Sequence, residues 1–128
     1  MIYLLDTHVL IWAATNPKRL SAKTQASIAD PDNTILFSAA SSWEIAIKAG
    51  LGRSDFRVDA ASLRVSCLQE GYEEIPILAE EAIAAAQIDF DHKDPFDRLL
   101  LAQARYHNAH LLTLDAKLLA FGKPAMSA

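Results

Sequence analysis

HKDPFDRLLLAQARYHNAHLLTLD, running from His92 to Asp115, reads as a capped helix, a short turn and an apolar strand that ends in an acid. Asp94 suits the N-cap, Pro95 suits the first helical position, where no amide hydrogen is needed, and Asp97 falls at N3. Asp97 therefore has two readings. As the N3 acid of a capping box it returns a hydrogen bond to the cap and complements the helix dipole. As a site residue it stands at a sheet edge, because Leu99, Leu100, Leu101, Ala102 and Ala104 carry the helix along a sheet and His110 to Leu114 returns as a strand. Asp115 closes that strand, and in a parallel α/β sheet ligands bind outside the carboxyl ends of strands.

The N-terminal segments repeat the pattern. Ile2 to Leu5 is an apolar run suited to a buried parallel strand, and it ends in Asp6. Asp6 is either the N-cap of a helix over His8 to Ala14 or a second acid at the strand's carboxyl end. Asn16-Pro17 stops that helix, Ser21 caps another through Ala29, and the DPDN turn at Asp30 to Asn33 leads into a strand over Thr34 to Ser38. Ser41 or Ser42 caps the next helix through Ala49, with Gly50 as its stop, which puts Glu44 in the first turn. Trp43, Ala46, Ile47 and Gly50 keep helical spacing and read as its core stripe. Glu44 can pair with Lys48 at i, i+4 as a surface salt bridge, or point over the end of the strand before it.

Asp59 caps a helix through Glu70 that stops at Gly71, and Glu74 to Leu78 is a short strand in which Pro76 argues for a sheet edge. A helix over Ala79 to Ile88 and a polar loop lead back to His92. Four strand-like runs separated by helices predict a three-layer α/β/α domain with a mostly parallel central sheet of four or five strands. The 128 residues, 52% of them hydrophobic, suit one domain with a sizeable core. A single cysteine, Cys67, allows no internal disulfide and fits a reducing, cytoplasmic compartment. The apolar run from Val9 to Ala14 is too short for a signal segment or membrane span.

On this topology Asp6, Glu44, Asp97 and Asp115 arrive at one sheet edge. Four carboxylates there repel one another unless a cation sits between them, and an all-oxygen set suits Mg²⁺ or Mn²⁺ and not structural zinc. The net charge of −4 argues against a simple nucleic-acid coat protein, although two divalent cations would cancel it. The four histidines show no zinc spacing, and His107 and His110 read as structural. There is no Gly-rich phosphate loop, GxSxG elbow or Cys/His pair, so nucleotide cofactors and covalent nucleophiles have no support. Receiver-like and haloacid-dehalogenase-like phosphotransfer would want a second acid where Thr7 and His8 stand.

LLDTHVLIW, SSWEIAIK, DPFDRLLLAQA and LLTLD, in this order over nearly the whole chain, resemble a PIN domain. More narrowly they resemble a VapC-type toxin of a type II toxin-antitoxin pair. The resemblance implies a metal-dependent ribonuclease whose acidic quartet is Asp6, Glu44, Asp97 and Asp115, with the Thr113 hydroxyl orienting an acid. It implies Mg²⁺ or Mn²⁺, an RNA substrate and a cognate antitoxin, and Lys48, Arg53, Arg57, His92 and Arg98 are weaker candidates for phosphate contacts.

The apolar excess also predicts a homodimer, with Val9 to Ala14 and Ala60 to Leu68 as the docking helices. Two rivals use the same residues: a metal-dependent phosphatase acting on a small ester, and a PIN module that binds RNA without cutting it.

Overall fold

The computed structural model describes residues 1–128. Five strands, β1 (Ile2–Leu5), β2 (Thr34–Ser38), β3 (Glu73–Ile75), β4 (His110–Thr113) and β5 (Ala125–Ser127), form one sheet in the order β3-β2-β1-β4-β5. Every pairing is parallel. The connecting helices are α1 (Thr7–Thr15), α2 (Ala22–Ala29), α3 (Ala39–Gly50), α4 (Ala60–Gln69), α5 (Ala79–Gln87), α6 (Pro95–Tyr106) and α7 (Ala116–Phe121). None of them is long and apolar enough to cross a membrane.

The alternation of strand side chains builds two cores. Tyr3, Leu5, Ile35, Phe37 and Leu112 face one way and pack with Val9 and Leu10 of α1, Ile45 of α3, and Leu63 and Cys67 of α4. Leu4, Leu36, Ile75 and Leu111 face the other way and pack with Leu100, Leu101 and Ala104 of α6 and Leu118 of α7. A sheet covered on both faces explains why its strands read as continuous apolar runs. Burial also pushes the Cys67 thiol up to about 11, so it is a packing group rather than a nucleophile.

The chain moves from β1 outward through β2 to β3, then returns to the other side of β1 for β4 and β5. The strand order therefore reverses at β1, and the crevice at such a reversal lies at the carboxyl ends of the two strands that flank it. β3 takes the expected edge position, but it is shorter than the Glu74 to Leu78 reading and ends at Ile75, so Pro76 follows the strand and does not lie within it.

Two sequence readings are corrected. Helix α3 begins at Ala39, with Ser38 as N-cap accepting the Ala40 amide at 3.0 Å, so Glu44 sits in the second turn and not the first. Its buried face is Ala40, Ser41, Glu44 and Ile45, while Trp43 and Ile47 are exposed, at 59% and 38%. Helical spacing fits either face, and here the polar one turns inward. The second correction concerns α1: Val9, Leu10 and Ile11 are buried in the first core, so of the stretch expected to dock only Trp12 to Ala14 reaches the surface.

Candidate active site

Asp6 follows the last residue of β1 and caps α1, its Oδ1 accepting the Thr7 amide at 2.8 Å. The cap does not exhaust it. Oδ2 accepts the Thr113 hydroxyl at 2.6 Å, and Thr113 Oγ1 in turn accepts the Asp115 amide at 3.0 Å. Thr113, the last residue of β4 and fully buried, thus ties the acid after β1 to the backbone of the acid after β4.

Glu44 is held on both oxygens. Oε1 lies 2.6 Å from the Thr7 hydroxyl, which is also 3.0 Å from Ser41 Oγ. With one proton to give, Thr7 donates to the carboxylate and accepts from Ser41. Oε2 pairs with Lys48, whose ammonium also lies 4.9 Å from the Phe56 ring centroid and 5.6 Å from that of Phe96. The pair expected on the surface is instead largely buried, with side-chain exposures of 18% for Lys48 and 5% for Glu44.

Asp94 is the N-cap of α6, its Oδ1 accepting the amides of Phe96 at 2.9 Å and Asp97 at 3.3 Å. Asp97 does not return a bond to the cap, as a capping box requires; its Oδ2 lies 2.6 Å from His92 Nε2. Asp115 caps α7 through Oδ1, which accepts the amides of Lys117 at 2.8 Å and Leu118 at 3.2 Å.

These side chains meet. One cavity of about 370 Å³ is lined by Asp6, Thr7, His8, Trp12, Glu44, Lys48, Arg53, Asp94, Asp97, Leu114 and Asp115. The four acids expected together are together, with Asp94 as a fifth; Thr113 lies just beneath. Burial holds the Asp6 carboxyl above its ordinary range, against the lowering pull of Thr113 and Thr7, and the Glu44 charge adds to the rise. Burial also pushes Asp97 up to about 7, and the charges of Asp6, Asp94 and Asp115 raise it while the His92 hydrogen bond lowers it. Oxygen donors crowded around a space, with proton affinities raised by burial and mutual repulsion, fit a hard divalent cation.

Other expectations fare differently. Lys48 and Arg53 line the cavity, and Arg53 also pairs with Asp55 at 3.1 Å. Arg98 does not face it: its guanidinium donates to five backbone carbonyls, those of Ala85, Ala86, Ile88, Phe90 and His92. It is thereby removed from the phosphate candidates. His107 lies 3.4 Å from the buried Glu81, and His110 packs on Tyr3. Sequence reasoning missed Thr7 and Ser41 as supports of Glu44. Ser41 carried a signal, since it stands three residues before Glu44 on α3, whereas Thr7 reaches Glu44 from α1 across 37 positions and left no local trace.

The sequence matches the PIN domain family over residues 3–124. The chain belongs to the PIN domain family. Within it, a curated relative, ribonuclease VapC22 of Mycobacterium tuberculosis, is 32% identical over 117 residues, spanning 90% of this chain and 88% of that protein. Among solved structures, this PIN domain is similar to VapBC2 of Rickettsia felis bound to a promoter DNA fragment, with TM-score 0.70 and 20% identity over 100% of this chain and 98% of that one. It is also similar to VapC20 of M. tuberculosis, a sarcin-ricin loop cleaving toxin, with TM-score 0.67 and 14% identity over 95% of each chain. At those identities the structural likeness speaks to the PIN fold.

Proposed function

We propose that this PIN domain is a divalent-cation-dependent ribonuclease that hydrolyses RNA phosphodiester bonds, and that it acts as the toxin of a toxin-antitoxin pair. The observation that carries the proposal is the single cavity in which Asp6, Glu44, Asp97 and Asp115 converge at the strand reversal. The likeness to a protein named ribonuclease VapC22 supports the same reading. Asp6 and Asp97 are the primary metal ligands in this proposal, with Glu44 and Asp115 binding directly or through water. An oxygen set of this kind would take Mg²⁺ or Mn²⁺, which when bound polarises the scissile phosphodiester and activates the attacking water.

The protein's own groups do the rest. Thr113 fixes the Asp6 carboxylate, Thr7 fixes Glu44, and Lys48 and Arg53 bring positive charge to the same cavity, where an RNA phosphate would otherwise meet only acids. A cytoplasmic homodimer, silenced by a cognate antitoxin, completes the proposal. Its partner arm is supported by likeness to VapBC assemblies, including VapBC-1 of nontypeable Haemophilus influenzae at TM-score 0.67.

Purified protein incubated with a structured RNA in Mg²⁺, Mn²⁺ or chelator, beside a small phosphate ester, tests the proposal. Cation-dependent RNA cleavage with an untouched ester is the expected result. Ester hydrolysis alone would favour the phosphatase, and binding of RNA without cleavage would favour the non-catalytic module.

A further inference from the structure

At the start of α6, His92, Asp94 and Asp97 bring an imidazole nitrogen and two carboxylate oxygens within 4.8 Å of one another. The imidazole is held in place. Its Nε2 lies 2.6 Å from Asp97 Oδ2, and the side chains of His92 and Asp97 are each only 11% exposed. The Phe90 ring packs edge-on against it at 5.3 Å, and Arg98 Nη1 donates to the carbonyls of both Phe90 and His92. Asp94 is fixed by the two amides it caps. Two ligands each about 2.1 Å from one ion stand about 3 Å apart when at right angles and about 4.2 Å apart when opposite, so these donors need only a small closing movement to share an ion.

We infer that His92 is a nitrogen ligand at the Asp94–Asp97 edge of the acidic cavity, and that it biases the site toward Mn²⁺ over Mg²⁺. The inference rests on the proposal that the acids bind a divalent cation. Mg²⁺ is served by oxygen ligands, whereas imidazole nitrogen suits the transition metals. Coordination through Nε2 requires the neutral ring with its proton on Nδ1, so the hydrogen bond to Asp97 gives way to an ion shared by both side chains. The competing role is a positioning one, in which His92 only orients Asp97 by hydrogen bonding.

Calorimetric titration of the full chain with Mn²⁺ and separately with Mg²⁺, above the ordinary histidine range of pH, distinguishes these roles. His92→Gln keeps a hydrogen-bond donor but is a poor transition-metal ligand. It should weaken Mn²⁺ binding by about tenfold or more while leaving Mg²⁺ within about twofold. Pulsed electron paramagnetic resonance of bound Mn²⁺ should show a nitrogen coupling in the wild type, lost in His92→Gln and kept in His8→Gln, which removes the imidazole that lines the acidic cavity itself, whereas His92 lines the adjoining cavity and reaches the acids through Asp97. Equal weakening of both cations, or a wild-type spectrum without nitrogen, would overturn the inference. If RNA is cut with Mg²⁺ or Mn²⁺ but the spectrum lacks nitrogen, only the role of His92 falls. If neither cation binds the wild type, the inference and the metal-nuclease proposal fall together. The wild-type and His8→Gln spectra decide the matter even if His92→Gln does not fold.

Discussion

Thr113 donates its hydroxyl proton to Asp6 at 2.6 Å, joining residues 107 positions apart at the carboxyl ends of two adjacent strands. The same oxygen accepts the Asp115 amide, so one buried hydroxyl sets the relative position of two acids. Thr113→Val keeps the shape and removes both bonds. It leaves a buried carboxylate oxygen and an amide without their partner, a cost of about 1–3 kcal/mol. We expect that loss in denaturant unfolding, with RNA cleavage reduced by at least about tenfold. Thr113→Ser should retain most of both. Equal activity in the valine and serine variants would remove the hydroxyl from the proposed mechanism.

The pH dependence of stability has a definite sign. Asp97 holds its proton up to about pH 7 in the folded chain and releases it near 3.8 when unfolded. Between those values the folded state carries the extra proton, so without metal the stability falls as pH rises across the window, and Asp6, also raised, acts in the same direction. The unfolding free energy in chelator should drop from pH 4 to pH 7 by an amount on the order of a few kcal/mol. Saturating Mn²⁺ should flatten the slope. Asp97→Asn should flatten it too, and Asp6→Asn and Asp97→Asn should abolish RNA cleavage while leaving the fold intact. A metal-free stability that rises over this range would contradict the assignment.

The strand-end acids were legible in the sequence, and the misses have separate physical causes. Asp6, Asp97 and Asp115 were legible because strand and helix boundaries locate strand ends, and strand order does the rest. Two of them also proved to have side-chain partners that element boundaries do not reveal: Thr113 for Asp6, across 107 positions, and His92 for Asp97, from the loop before α6. The error in α3 came from treating hydrophobicity as the guide to burial. Trp43 and Ile47 make the more apolar stripe, yet Ser41 and Glu44 turn inward because the cavity holds hydrogen-bonding and ionic partners for them. β5 was unreadable as a separate run because it is only Ala125–Ser127 and short of apolar signal. Arg98 looked like a phosphate contact because a positive charge beside an acidic motif invites that reading, and only the loop's path shows where its donors go.

Glu44 and Lys48 separate site from scaffold. Both side chains are largely buried, so removing one partner leaves the other's charge poorly compensated. Glu44→Gln should lose most RNA cleavage. Lys48→Met leaves Glu44 as one more unneutralised acid in the cavity, which should tighten divalent-cation binding and destabilise the metal-free protein by about 1–3 kcal/mol. Calorimetric titration and unfolding in chelator check both. Loose cation binding in Lys48→Met, or full activity in Glu44→Gln, would return the pair to a purely structural role.

Arg98 organises the approach to the site without entering it. Its Nε donates to Ala85 at 3.0 Å, Nη1 to Phe90 at 2.6 Å and His92 at 3.1 Å, and Nη2 to Ile88 at 2.6 Å and Ala86 at 3.3 Å. One planar fork therefore ties the end of α5 and the loop after it to the second turn of α6. Lysine has a single donor centre and cannot reproduce that geometry, so Arg98→Lys should behave more like Arg98→Met than like wild type. Hydrogen bonds to charged groups contribute about 1.5–3 kcal/mol each, and five on one side chain are not additive, so we expect about 3 kcal/mol or more lost in either variant. Amide exchange should accelerate over residues 86–93 before the sheet is affected. Because that loop carries His92, cleavage should fall too, and in Arg98→Lys it should fall although the positive charge is kept. Were Arg98 a phosphate contact, Arg98→Lys would instead preserve loop protection and most of the activity.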